Sequence, residues 1–151
     1  MNIILSVLML LFVSNTAISN NEVPVSSNDK VEITIEGTDQ MKFNLSEIKV
    51  KEGDTIVLTL KHVGQLPKAA MGHNWVLLAQ GTDVATYATK AIRARDTEYI
   101  PEGDEAIAYT SLIGGGEETT IEFTAPAAGE YTFICSFPGH YALMQGKLIV
   151  E

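Results

Sequence analysis

The chain has 151 residues, which gives room for one domain with a sizeable core. Apolar residues make up 46% and charged residues 19% of the chain, a balance that excludes a disordered or fibrous protein. The formal net charge of -9 argues against a nucleic-acid partner, because phosphate binding needs clustered basic side chains, and it biases docking towards basic partners.

The N-terminal segment has the composition of a signal peptide. Residues 1–13 are almost wholly apolar, and the small and polar stretch that follows contains an A-x-A-like cleavage site ending at Ser19. The apolar run is too short to span a bilayer comfortably, so a signal peptide over 1–19 is predicted. Because the run lacks the usual basic n-region, an uncleaved anchor is the alternative. Residues 20–29 are expected to be a flexible leader before a domain over 30–151.

The first half of that domain alternates between apolar and polar residues. This period of two predicts half-buried strands over 31–36, 48–51 and 56–62. In the third strand His62 falls on the core side, because it continues the series of apolar positions Ile56, Leu58 and Leu60.

In the second half the spacing of the apolar residues changes once from that of a strand to that of a helix. After a predicted strand over 74–79, the spacing becomes helical between Thr82 and Arg95, with Thr82 or Asp83 as the N-cap. The predicted helix face consists of Val84, Tyr87, Ala88 and Ala91. Further strands are predicted over 107–113, 119–124, 130–136 and 146–150. About eight short strands and one short helix predict an all-β protein, a two-sheet antiparallel sandwich of Greek-key type.

Four residues form the pattern that carries chemistry. Cys135 is followed after four residues by His140 and after three more by Met144, and His73 lies far upstream. Two imidazoles and one thiolate with a weak axial thioether are the donor set of copper sites that transfer electrons. Sulfur donors suit Cu(I), and imidazole also suits Cu(II). A coordination geometry intermediate between those that the two oxidation states prefer lets copper gain or lose an electron with little movement of its ligands. The pattern predicts one copper ion per chain.

Taken one at a time, these residues have simpler explanations. Cys135 is the only cysteine, so it cannot form an internal disulfide, and it is either buried and inert, reactive or bound to metal. Met144 alone would be explained as a core residue, and His73 alone as a structural histidine. Trp75 is expected in the core without a redox role. Only the joint spacing favours ligation.

Two segments closely resemble those of the azurins, a family of bacterial blue-copper cupredoxins: MGHNWVL at 71–77 and CSFPGHYALM at 135–144. The resemblance extends from about Val31 to the C-terminus. It includes three further segments, GTDQM at 37–41, GQLPK at 64–68 and SLIG at 111–114.

The resemblance implies a cupredoxin-like fold and a type 1 copper site. His73 and His140 are then the imidazole ligands, Cys135 is the thiolate and Met144 is the weak axial thioether. The backbone carbonyl of Gly72 is a distant axial oxygen on the opposite side. These expectations agree with the donor pattern read from the residues.

The resemblance also implies roles for residues around the copper. Asn74 braces the two ligand segments and bonds towards the sulfur, and His62 lies near the site but outside the coordination sphere. Redox partners dock on an apolar surface around the exposed edge of the His140 ring. That surface draws on Met41, Leu66, Met71, Phe137, Pro138, Ala142 and Leu143.

One feature of the family is missing from this chain. Azurins usually join the first strand to the third by a disulfide, and the matching positions are Val31 and Asp54. The absent bridge corresponds to roughly 3 kcal/mol of loop-closure stabilisation in the chain-entropy model. The missing disulfide concerns the stability of the fold and leaves the predicted copper ligands unchanged.

Three functions are compatible with the pattern. The first is a soluble periplasmic electron carrier that acts on no substrate, with redox proteins such as c-type cytochromes or copper- or haem-containing reductases as partners. It is not expected to associate with a membrane after cleavage. The second is copper delivery or storage with the same ligands. The third is a thiol enzyme with Cys135 as nucleophile and His140 as base, but no orienting third group or oxyanion loop is evident.

Overall fold

The computed structural model describes residues 29–151, so the predicted signal peptide and most of the predicted leader lie outside it. Eight strands follow in chain order: β1 Lys30–Gly37, β2 Glu47–Val50, β3 Thr55–His62, β4 Val76–Leu78, β5 Ala106–Tyr109, β6 Glu118–Thr124, β7 Gly129–Ile134 and β8 Gln145–Val150. They form a three-stranded sheet in the order β1-β3-β6 and a five-stranded sheet in the order β2-β8-β7-β4-β5. The predicted all-β sandwich of about eight strands is confirmed.

The direction of two strand pairs corrects the prediction of an antiparallel sandwich. β1 pairs in parallel with β3, and β2 pairs in parallel with β8, whereas the other pairs are antiparallel. The chain crosses from the first sheet to the second between β1 and β2, and it returns before β3. The parallel pairs follow from these crossings, and the alternation of residues along a single strand does not predict which sheet the strand joins.

The core lies between the sheets, on the faces that the alternation predicted. Ile56, Leu58, Leu60 and His62 of β3 are all buried, while the residues between them are half-buried. Trp75 is 0% exposed, and its ring centroid lies 5.6 Å from that of Phe133 in β7, the strand next to β4 in the same sheet. Trp75 is therefore a core residue, as predicted.

The helix predicted between Thr82 and Arg95 is present as α2, Val84–Ala91. Asp83 is its N-cap, because the carboxylate accepts a hydrogen bond from the backbone N–H of Thr86 at 2.8 Å. The sequence did not indicate two single turns, α1 at Lys68–Met71 and a 3₁₀ turn at Arg95–Thr97, since such short turns have no periodicity. No helix within residues 29–151 combines the length and apolarity needed to cross a bilayer.

Two strands are shorter than predicted where they approach one end of the sandwich. β4 begins only at Val76, because the backbone N–H of Trp75 donates to the Thr110 hydroxyl at 2.9 Å. β5 ends at Tyr109, and the backbone N–H of Leu112 donates to a carboxylate oxygen of Glu98 at 2.9 Å. At this end, side chains thus take the place of the backbone hydrogen bonds between strands, and the backbone continues as loops.

The carboxylate of Asp54 closes the turn before β3. It is 5% exposed and accepts the backbone N–H of Lys51 at 2.9 Å. We expect Asp54→Ala to lower the free energy of unfolding by about 1–3 kcal/mol, because it leaves a turn N–H without its acceptor. Urea unfolding followed by the fluorescence of Trp75 measures this. Asp104→Ala, in an exposed turn, is the control, and an equal loss there would contradict the assignment.

Candidate metal centre

The candidate ligands meet at the end of the sandwich where β1, β3 and β7 finish. Cys135 lies one residue beyond β7, and its backbone N–H donates to the carbonyl of Met144 at 2.9 Å. The N–H of Met144 in turn donates to the carbonyl of His140 at 2.9 Å. His73 enters from the loop after α1 and forms an isolated antiparallel bridge with Ile113. Both ligand segments are therefore fixed by backbone hydrogen bonds.

The three strongest donors converge on one point. The Sγ of Cys135 lies 3.6 Å from Nδ1 of His140 and 4.0 Å from Nδ1 of His73, and the three atoms lie within 4.8 Å of one another. Metal–sulfur and metal–nitrogen bonds of about 2.3 and about 2.0–2.1 Å in a trigonal plane place sulfur and nitrogen about 3.8 Å apart. The observed distances lie on either side of that value, so the donor set fits a bound metal ion.

The orientation of the His73 ring is set by a backbone carbonyl. Its Nε2 lies 2.9 Å from the oxygen of Thr38, so Nε2 carries the proton and donates it. This leaves the lone pair of Nδ1 on the side of the Cys135 sulfur. A carbonyl that fixes the tautomer of a metal-binding imidazole in this way is typical of metal sites. Nδ1 also lies 3.0 Å from the Gly72 oxygen, which is itself 3.9 Å from the sulfur.

Met144 is 0% exposed and packs against Gly37, for which the sequence predicted no role in the site. A Cβ at position 37 would lie 2.7 Å from Cδ2 of His73 and 2.9 Å from Cε of Met144. Both distances are shorter than normal contacts, so the end of β1 must be glycine for the ligands to reach their places. A single sequence shows only a glycine after a strand and gives no sign of this approach.

Burial keeps all three donors in their neutral forms when no metal is bound. Burial raises the pKa of the Cys135 thiol to about 12, although the backbone N–H groups of Asn74 and Phe137 partly offset it by favouring the thiolate. Burial also lowers the pKa of His140 to about 4 and lowers that of His73. At neutral pH a metal ion therefore displaces a proton from sulfur and from neither imidazole.

We expect metal uptake at neutral pH to release one proton per ion, since only the thiol must ionise. The apparent affinity should rise about tenfold per pH unit from neutral pH up to the pKa of Cys135, about 12. At acidic pH the dependence should steepen, because His73 and then His140, whose pKa is about 4, must also lose a proton. Titration in weakly buffered solution with an indicator dye counts the protons. Release of two protons at pH 7 would contradict this protonation state.

Asn74 links the two ligand segments and is 0% exposed. Its side-chain oxygen accepts the backbone N–H of Ser136 at 2.8 Å, and its amide donates to the Ser136 hydroxyl at 2.8 Å. The same amide donates to the carbonyl of Glu98 at 3.2 Å, and Ser136 donates to the carbonyl of Tyr99 at 2.8 Å. These bonds form a network directly beside Cys135.

Glu98 and Tyr99, which the sequence did not indicate as part of the site, have left-handed backbones with φ of 56° and 67°. For residues with side chains this conformation costs about 1–2 kcal/mol each. The conformation turns both carbonyls towards Asn74 and Ser136. The local strain is thus offset by the hydrogen bonds that hold the ligand loops together.

His62 lies beside the donor group and is not part of it. Its ring stacks on that of His73 with centroids 4.2 Å apart and planes 14° apart. The backbone N–H of Gly64 donates to Nδ1 at 3.1 Å, so Nε2 carries the proton and donates to the Met71 carbonyl at 2.8 Å. Both ring nitrogens of His62 therefore form hydrogen bonds within the protein.

The predicted docking residues belong to the loops that touch the ligand imidazoles. Leu66 is 42% and Leu143 is 61% exposed, and Ala142 is also exposed. Met41, Met71, Phe137 and Pro138 are half-buried. The Phe137 ring lies 4.7 Å from that of His140, which is itself only 3% exposed. Only a small part of His140 therefore reaches the surface.

Comparison with known proteins supports a copper site. A family model described as copper-binding proteins of the plastocyanin/azurin family matches residues 29–151. An azurin from Pseudomonas fluorescens biotype C is 43% identical over 125 residues, which cover 79% of this chain and 97% of that protein. Outer membrane protein H.8 of Neisseria meningitidis serogroup B is 44% identical over 119 residues, covering 76% of this chain and 64% of that protein.

Solved structures show the same fold. Auracyanin A, a "blue" copper protein from Chloroflexus aurantiacus, is 36% identical with a TM-score of 0.75, covering 81% of this chain and 99% of that one. An auracyanin from Roseiflexus castenholzii is 34% identical with a TM-score of 0.73, covering 82% and 98%. The predicted resemblance and the predicted cofactor are therefore confirmed, and His73, Cys135, His140 and Met144 form a typical type 1 copper site.

Proposed function

The chain belongs to the plastocyanin/azurin family of copper-binding proteins, and from this premise we propose that it carries single electrons between redox proteins in the periplasm. The observation that supports this most directly is the convergence of the Cys135 sulfur and two imidazole nitrogens at 3.6 and 4.0 Å beside a buried methionine. Such a donor set serves both oxidation states of copper.

The protein's contribution is to keep the ligands in place while the charge changes. Copper, when bound, supplies a one-electron couple between Cu(I) and Cu(II). The Thr38 carbonyl holds the His73 ring, and the hydrogen bonds between Cys135, His140 and Met144 hold the loop, so the ligands have little freedom to rearrange. Little rearrangement means a low barrier to exchange of an electron. The carbonyl of Gly72, whose oxygen lies 3.9 Å from the Cys135 sulfur, would be a further weak donor to the metal.

We infer that electrons enter and leave near His140. Its Nδ1 faces the sulfur, so the opposite side of the ring, with Nε2, is directed away from the donor group. Phe137, Leu143 and the other predicted docking residues surround this point and would exclude water from a contact with a partner. Redox proteins such as c-type cytochromes or copper- or haem-containing reductases are the proposed partners. No substrate is transformed in this proposal.

Addition of Cu(II) to the purified protein tests the function. We expect an intense blue colour from thiolate-to-copper charge transfer, which ascorbate bleaches and a one-electron oxidant restores over many cycles. Copper that binds without colour and passes readily to a chelating acceptor protein would instead indicate delivery or storage. Catalytic activity that is lost on alkylation of Cys135, in a protein that never becomes coloured, would indicate a thiol enzyme.

Met144→Leu should retain copper and the blue colour while shifting the reduction potential. The axial thioether bond is weak, and leucine fills a similar buried volume without a donor atom. Loss of a soft donor disfavours Cu(I), but exclusion of water by leucine disfavours the more highly charged Cu(II). We expect the second effect to win in this fully buried position and to raise the potential. Potentiometry measures this, and loss of copper binding would contradict a weak axial role.

A further inference from the structure

Charge is distributed unevenly between the metal end of the molecule and the rest. The metal end is defined here as loops 38–46, 63–75, 92–99, 111–117 and 135–144. Its basic side chains are Lys42, Lys68, Arg93 and Arg95. Its acidic side chains are Asp39, Asp96, Glu98 and Glu117. The metal end is therefore neutral, whereas the rest of residues 29–151 has six basic and fourteen acidic side chains.

Three of the four acidic groups at the metal end are turned towards the protein's own backbone. Asp39 accepts the N–H groups of Gln65 and Leu66 at 2.8 and 3.3 Å, and these bonds lower the pKa of its carboxyl. Glu98 accepts the N–H of Leu112 at 2.9 Å, and Glu117 accepts that of Gly114 at 2.7 Å. Backbone N–H groups thus satisfy part of the charge of each carboxylate, and Glu117 also remains exposed beside Lys68.

The basic groups, in contrast, are directed to solvent beside the site. Lys68 and Arg95 are exposed, and they line a surface groove of about 330 Å³ together with Tyr99, Phe137 and the half-buried Glu98, whose carboxylate accepts the Leu112 N–H. Phe137 forms the wall between this groove and His140, since its ring contacts Tyr99 at 5.2 Å and His140 at 4.7 Å. Lys68 lies 4.0 Å from Glu117, which is a weak contact between exposed groups. Asp96 is the one acidic neighbour of Arg95 that is exposed.

We propose that this groove receives a carboxylate from the docking face of the redox partner, with Lys68 and Arg95 binding it beside the Phe137 wall. The partner is thus a redox protein whose docking face is acidic, although the net charge of -9 by itself favours a basic one. A basic partner would be drawn to the acidic side chains outside the metal end, away from the copper. This inference rests on the proposed electron-transfer function.

The test measures electron transfer from the reduced, copper-loaded full chain to two small oxidants of opposite charge. One is hexacyanoferrate(III), an anion, and the other is tris(phenanthroline)cobalt(III), a cation. The ionic strength is about 0.1 M, where the Debye length is about 10 Å and only charges near the site act on the oxidant. We expect the double variant Lys68→Gln/Arg95→Gln to react about fivefold more slowly with the anion and no more slowly with the cation.

A double variant with the same net charge provides the control. Lys30→Gln/Lys51→Gln removes two exposed basic groups at the opposite end of the sandwich. Lys30 and Gly37 begin and end β1, so seven residue steps, about 23 Å, separate Lys30 from the ligand end. We expect this control to match the wild type with both oxidants, and Arg95→Lys to keep the wild-type rate. Potentiometry checks that the driving force is unchanged.

Three outcomes would overturn the inference. Equal slowing of both double variants with the anion would show an effect of net charge alone, and no slowing of either would show that the groove does not attract anions. If the copper-loaded wild type exchanged electrons with neither oxidant, the proposed function itself would fail and this inference with it.

Discussion

Cys135→Ser is expected to abolish the blue colour of the copper-loaded protein while leaving the sandwich folded. The colour depends on charge transfer from a thiolate to copper, and a serine oxygen supplies neither a soft donor nor an easily ionised group. The fold should persist because the ligands are held by backbone hydrogen bonds, such as that from the N–H of residue 135 to Met144 at 2.9 Å. Visible absorption after copper addition and Trp75 fluorescence during urea unfolding measure the two effects.

The three histidines of the chain provide matched controls. His73→Gln should also remove the blue band, because Nδ1 of His73 is one of the converging donors. His62→Gln should keep it, since His62 only stacks on the His73 ring at 4.2 Å. An intense blue band in Cys135→Ser would refute thiolate ligation, and its loss in His62→Gln with a folded protein would contradict the ligand assignment.

Asn74→Ala is expected to lower the free energy of unfolding of the metal-free protein by about 3 kcal/mol. The substitution leaves the buried N–H of Ser136 without its acceptor at 2.8 Å and the Glu98 carbonyl without its donor at 3.2 Å. Each unsatisfied buried group costs about 1–3 kcal/mol, and the left-handed backbone at Glu98 loses a bond that offsets its strain. Urea unfolding followed by Trp75 fluorescence measures the change.

Asn44→Ala is the control for this substitution, because the Asn44 side chain also accepts a backbone N–H, that of Glu36 at 2.8 Å, but is exposed. Water can replace that bond, so we expect a loss of less than about 1 kcal/mol. In the copper-loaded protein, Asn74→Ala should also shift the reduction potential, since it loosens the segment that carries Cys135. Equal stability losses in the two variants would contradict the role of Asn74 as a brace between the ligand loops.

The loops around the copper site are held in place mainly by hydrogen bonds between polar groups. The side chains of Asn74 and Ser136 bind backbone groups of neighbouring loops, and the Thr38 carbonyl accepts a hydrogen bond from the His73 ring. Buried polar networks of this kind specify one arrangement because any alternative leaves a group unsatisfied. These bonds hold the ligand segments in place through protein groups alone.

The sequence by itself determined the fold class, the helix at α2 and the four copper ligands. Alternation along β3 predicts which side of the strand is buried, because that choice depends only on neighbouring residues. The joint spacing of Cys135, His140 and Met144 predicts a metal loop, because three ligands within one short segment need no knowledge of the tertiary structure. His73 was identified by its residue type and by the resemblance, not by any distance along the chain.

The tertiary structure alone decided the parallel pairing of β1 with β3, the close approach of Gly37, the strained carbonyls of Glu98 and Tyr99, and the neutral charge of the metal end. Each of these depends on segments that are distant in the chain and meet only after folding. A net charge of -9 is a sum over the whole chain, whereas a partner senses charges within about 10 Å. Local patterns thus fix the chemistry of the ligands, and the packing of remote loops fixes what surrounds them.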